Sequence, residues 1–219
     1  LLANEPALNV SLARNAITPY LIAAFSRSYA IVHDLDPALG EVLRDMQHLS
    51  VLANMSATES GGQVDTTEFR DVLISAQYRL VNLRSAEGSL TELCRLGLVA
   101  FLTTIMLRLP GYTLKYPFVA IQLQTHLQDI EPSTPEEGHI YVWTLAMAMA
   151  TVTDISKMPH LREKALGMIQ TFAGAHWPEV QEQLTHFLWI GAVHDRPFIK
   201  ALKECMSGSD LERFHVDVG

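Results

Sequence analysis

The chain has 219 residues, 48% hydrophobic and 18% charged, with 24 acidic against 16 basic side chains and a formal net charge of −8. That length supports one large domain, able to bury a substantial core without disulfides or metals. No run of Lys or Arg forms the basic stripe that a phosphate backbone requires, so no direct nucleic-acid contact is expected of this segment.

In chain order, a helix is expected near Pro19 to Asp34. Asp36-Pro37 then supplies a capping side chain and a proline at the first helical position, which together announce a helix start. Leu39, Val42, Leu43, Met46 and Leu49 form one stripe of it, and Glu41, Arg44, Asp45 and His48 the opposite face. Met55 to Val64, with Gly61-Gly62 and several small polar residues, is expected to be a mobile loop. Asp65 with Glu68 resembles a capping box, and Phe69, Val72, Leu73, Ala76, Leu80 and Leu83 follow at helical spacing.

Two segments are apolar nearly all round, which marks helices enclosed by other helices. The first starts at Ser89 with Glu92 at the capping-box position, runs through Leu96, Phe101, Ile105 and Leu107, and ends at Leu109-Pro110-Gly111. The second runs from about Ile140 through Trp143, Leu145, Met147 and Met149 to Val152. Neither is expected to span a membrane, because Leu96 to Leu107 gives twelve residues between two arginines against about eighteen needed.

Pro117, Pro135, Pro159, Pro178 and Pro197 are each expected just inside a helix, with Ser133, Thr134 and Asp195 as caps. Leu161, Ala165, Met168, Ile169 and Phe172 form one further stripe, and Trp177, Val180, Leu184, Phe187 and Leu188 another. No β-run or internal repeat interrupts the pattern. The prediction is an all-α fold, a single globular domain over residues 1–219 with about nine helices around the two apolar ones.

Two cysteines, Cys94 and Cys205, cannot build a disulfide framework or a four-cysteine zinc site, which points to a reducing, intracellular compartment. Leu1 to Leu12 shows no secretion signal, and the start on Leu1 makes the chain a candidate fragment of a longer one. No histidine pair has the spacing that puts two imidazoles on one helical face, and His176, His186 and His194 lie far apart in sequence. The dyads His33-Asp34 and His194-Asp195 resemble the metal-binding pair of helical HD phosphohydrolases, but His33 has no histidine before it and Asp195 is better explained as a cap. Motifs for an activated serine or a phosphate cradle are absent, and Glu136-Glu137 suits the positive end of a helix dipole. No catalytic residue, metal or cofactor is therefore expected, and the chain is expected not to be an enzyme.

One binding possibility lies in the apolar helices. Trp143, Met147, Met149 and Met106 are candidates to line an apolar effector pocket, with Thr103, Thr104 and Thr144 orienting a polar group. Ordinary core packing, with the threonines bonded to their own helical turns, is the alternative.

Glu92-Leu93-Cys94-Arg95, leading into Leu96-Gly97-Leu98-Val99-Ala100-Phe101-Leu102, resembles the central segment of the fungal-specific transcription factor domain. Tyr116-Pro117, and Trp177 followed by Val180, Leu184 and Phe187-Leu188-Trp189, are similar to its later helices, so the resemblance covers about Leu21 to Leu202. It implies the nuclear regulatory region of a zinc-cluster transcription factor, which senses and relays through protein partners or a small apolar effector. The chain lacks that class's six-cysteine cluster, any basic linker and any dimerising heptad, and the resemblance carries over no functional residues. A helical protein-binding scaffold is the alternative, and an all-α enzyme with a dispersed active site a third.

Overall fold

The computed structural model describes residues 19–57, 66–83, 88–106, 116–151, 159–171 and 177–205. Every element among them is a helix: α1 (Pro19–Leu35), α2 (Pro37–Ser56), α3 (Thr66–Asn82), α4 (Leu90–Met106), α5 (Pro117–Asp129), α6 (Pro135–Thr151), α7 (Pro159–Thr171), α8 (Trp177–Phe187) and α9 (Gly191–Cys205). The chain folds as an all-α domain, as its periodicity predicts.

Local signals set most of the helix starts. The Asp36 carboxylate accepts from the N–H groups of Ala38 and Leu39 at 2.8 and 3.1 Å, capping two donors that the first turn of α2 leaves open. Thr134 Oγ1 accepts from Glu137 N–H at 3.2 Å, and Glu137 turns back to accept from Ser133 N–H at 2.6 Å. Ser89 Oγ likewise accepts from Glu92 N–H at 3.1 Å, whereas the Glu92 carboxylate goes to Arg95, which also donates to the Leu80 carbonyl at the end of α3.

The expected stripes of α2, α3 and α8 face the core; of the α7 stripe Leu161 and Ala165 are buried, and the side chains of Met168, Ile169 and Phe172 lie outside the described set. Leu39, Val42, Leu43, Met46 and Leu49 of α2 face inward, as do Leu73, Ala76 and Leu80 of α3 and Val180, Leu184 and Phe187 of α8. α4 packs against α1, α3, α5 and α6, while α6 packs against α4, α5, α8 and α9, so each apolar helix is enclosed by others. One continuous hydrophobic core joins residues from all nine described helices or the half-buried residues packed on them. No described helix is long and apolar enough to cross a membrane.

Three expected boundaries need correction. Met55 and Ser56 belong to the last turn of α2 rather than to a loop, and residues 58–65 lie outside the described set. Pro197 does not open a helix, since α9 begins six residues earlier, at Gly191, where the Ile190 carbonyl accepts from both Val193 and His194 N–H. Asp195 is accordingly no cap: its carboxylate accepts from Trp189 Nε1 at 2.7 Å and from Gln181 Nε2 at 2.5 Å. Tertiary donors outbid the local turn, and the helix runs through a proline that has no N–H for the Val193 carbonyl.

Candidate functional site

A cleft of about 410 Å³ opens between α1, the first half of α6, and α8. Its walls are two helical stripes of the same spacing. Ala24, Arg27, Ser28 and Ile31 come from α1, and Pro135, Gly138, His139 and Val142 from α6, each set at i, i+3, i+4 and i+7. Trp143 and Phe187 close the base, with ring centroids 4.5 Å apart and planes inclined by 25°.

The base is rigidly held. Trp143 Nε1 donates to the Leu188 carbonyl at 2.7 Å, and its six-membered ring lies over Gly97 of α4, where no side chain intervenes. Gln47 of α2, buried to 1% exposure, donates to Ser28 Oγ and to the Phe187 carbonyl, both at 2.7 Å, and so ties α1 to α8 beside the cleft. Asn54 donates to the Trp189 carbonyl and accepts from Gly191 N–H, fixing the corner between α8 and α9. A satisfied buried network of this kind sets one relative placement of its helices.

Arg27, His139 and His186, from three different helices, also line the cleft; the first two are exposed and His186 is half-buried. Burial holds the His186 imidazole below its ordinary pKa; Glu182, 3.8 Å away, opposes the shift and Arg27 adds to it. Among the described residues no carboxylate lines the cleft.

The seven residues singled out in the sequence, Thr104 of the second cluster described below among them, fall mostly elsewhere. Trp143 lines the cleft, whereas Met147 and Met149 fill the core around α6, and Thr103 donates to the Ala100 carbonyl one turn back. Thr144 is fully buried, its hydroxyl without a hydrogen-bond partner among the described residues. Met106 ends α4, and its side chain lies outside the described set. Arg27, Ile31, Gly138 and His139 went unremarked in the sequence; their signal was the pair of matched stripes, whose convergence depends on how α1 meets α6.

A second polar cluster lies deep in the core. His194 Nδ1 accepts from Ile190 N–H at 3.0 Å, so the ring proton is on Nε2, which faces Thr104 Oγ1 at 2.9 Å. Thr104 in turn donates to the Phe101 carbonyl at 2.6 Å. The Asp195 carboxylate points away, to Trp189 and Gln181, so the His194-Asp195 dyad does not converge on one point. Among the described residues no three His, Cys, Asp or Glu side chains are grouped to hold a metal ion. Both cysteines are buried, and burial pushes the Cys94 and Cys205 thiols up, away from the thiolate form.

Comparison of the chain with family models, with curated proteins and with solved structures gives no match.

Proposed function

We propose that the chain is a non-catalytic, effector-responsive regulatory domain, of the kind implied by the resemblance of Glu92 to Leu102 to the fungal-specific transcription factor domain. The observation that supports it is the placement of Trp143. Trp143 is among the residues that line the cleft, its N–H is bonded to the Leu188 carbonyl just before α9, and its ring is seated on Gly97 of α4. An occupant of the cleft presses on a side chain that has no slack toward α4 or the start of α9. Packed interiors respond to such pressure by switching between discrete arrangements, since they are too dense to deform gradually. An effector that binds one arrangement more tightly shifts the population, and with it the surface offered to a coactivator or corepressor. Transcription and a nuclear location enter through the resemblance alone.

Fusing the chain to a heterologous DNA-binding module in a fungal host tests this. Gly138→Leu, which fills the cleft, is expected to change reporter output several-fold while the chain stays folded by circular dichroism. Unchanged output with the cleft filled rules out regulation through it.

A protein-binding scaffold is favoured by a separate observation. Ile74, Tyr78 and Val81 form an apolar stripe on the outer face of α3, and Tyr78 and Val81 are more than two-thirds exposed. Spacing of i, i+4 and i+7 is that of a helix laid into a partner's groove. In the same reporter, loss of output with Tyr78→Arg and none with Gly138→Leu would favour the scaffold.

A further inference from the structure

The lining of the cleft differs from the rest of the chain in charge. Acidic residues outnumber Lys and Arg 24 to 16 overall, yet the cleft is lined by one arginine, Arg27, by the imidazoles of His139 and His186 and, among the described residues, by no acid. Glu182 borders the rim beside His186, with its side chain 55% exposed to solvent. Glu136 and Glu137 share the first turn of α6 but do not line the cleft, and Glu137 is engaged by Ser133 N–H. Below the mouth, where Arg27 is the one fixed positive charge among the described lining residues, the walls are apolar, through Ile31, Val142, Trp143 and Phe187.

Gly138 supplies an independent observation. A glycine inside a helix costs roughly 1 kcal/mol relative to alanine, so it calls for a reason. At Gly40 and Gly97 the reason is close packing, since an added Cβ would meet His33 Cβ at 2.7 Å and Trp143 Cζ3 at 2.6 Å. At Gly138 an added Cβ would meet nothing within 4 Å, and the open space is the cleft itself. Gly167 of α7 is also open but does not border the cleft. No atom of the described residues needs the room that Gly138 leaves, and a bound molecule would use it.

We propose that the cleft binds a small amphipathic monocarboxylate, its apolar body laid against Ile31, Val142 and Trp143 and its carboxylate held by Arg27 with His139 and His186 alongside. A guanidinium matches the two oxygens of a carboxylate with paired N–H donors, and an apolar floor lowers the local dielectric that would otherwise screen the pair. A cleft of about 410 Å³ lies within the usual range for small-molecule sites. This assignment rests on the effector-responsive function proposed above and names the chemistry of the effector.

The test is titration of the full chain, followed by calorimetry and tryptophan fluorescence near neutral pH, with phenylpropionate, phenylpropanol and phenylpropylamine. These probes share one apolar body and differ in head-group charge. Phenylpropionate is expected to bind about tenfold more tightly than the alcohol, corresponding to about 1.4 kcal/mol, and the amine most weakly. Arg27→Gln is expected to reduce carboxylate affinity to that of the alcohol, Arg27→Lys to restore part of it, and Gly138→Leu to abolish binding of all three. A carboxylate that binds no better than the alcohol or the amine, or that is indifferent to Arg27→Gln, overturns the anion assignment and leaves an effector cleft standing. Failure of all three probes to bind, or binding unaffected by Gly138→Leu, overturns both.

Discussion

An ideal Cβ placed on Gly97 would lie 2.6 Å from Cζ3 of Trp143, so the two central helices meet where a glycine faces an indole. The same Cβ would lie 3.0 Å from the buried Thr144 hydroxyl. α4 and α6 can approach this closely only because one side of the contact has no side chain.

Gly97→Ala is therefore expected to destabilise the fold by about 1–3 kcal/mol, the range for overpacking a filled interior. In a Trp143→Phe background the smaller ring should relieve most of that loss, giving a coupling of at least about 1 kcal/mol in a double-mutant cycle read by urea unfolding. Strict additivity of the two changes would show that the contact is not tight.

Gly138→Ala has the opposite sign. The added methyl meets no atom of the described residues and the helix gains alanine's propensity, so the unfolding free energy should rise by about 0.5–1 kcal/mol. A drop in Tm would mean that the space beside Gly138 is occupied.

Thr104→Val removes the hydroxyl that links His194 Nε2 to the Phe101 carbonyl, at nearly unchanged shape. Loss of a buried polar partner costs about 1–3 kcal/mol. Thr103→Val, whose hydroxyl bonds the Ala100 carbonyl one turn back, should cost less, and equal losses in urea melts would remove the case for a His194 link.

Asp195 gives a pH signature. Burial raises its pKa above the ordinary 3.8 although Trp189 and Gln181 donate to it, so the native state holds the proton more tightly than the unfolded chain. Its contribution to stability is thus fully present below 3.8 and is lost as pH rises through the elevated native value. Subtracting the unfolding free energy of Asp195→Asn from that of the wild type should leave a difference that falls over this window and then levels. Because the residue is only half-buried, the amplitude should stay below about 1 kcal/mol. A difference that grows with pH would reverse the assignment.

Lys164 holds the end of α5: its ammonium donates to the carbonyls of Leu127 and Gln128 at 2.7 and 3.0 Å, and Tyr141 donates to the Leu127 carbonyl at 2.8 Å. Replacing it by methionine keeps most of the stem and removes the cation from the negative end of the helix dipole. The expected loss is about 1–2 kcal/mol, measurable in thermal melts at low and high salt. No change in Tm would show that water replaces the ammonium at no cost.

Helices and their inward faces were legible in the sequence because both are local. The Asp36 cap, the Thr134 start, the α2 and α8 stripes and the two apolar helices each follow from residues within a few turns of one another. Two of the three exceptions share a cause. Asp195 and Pro197 look locally like a helix start, but the donors that claim the Asp195 carboxylate, Trp189 and Gln181, come from outside its own turn.

The cleft depended on tertiary structure almost entirely. Its two walls are regular stripes, Arg27 among one and Gly138 among the other, yet nothing local says that α1 and α6 face each other across a gap while Met147 and Met149 point into solid core. Periodicity fixes which side of a helix turns inward, because that depends on hydrophobicity at 3.6-residue spacing. Which inward sides meet, and where they fail to fill the space between them, depends on side-chain volumes brought together from distant parts of the chain.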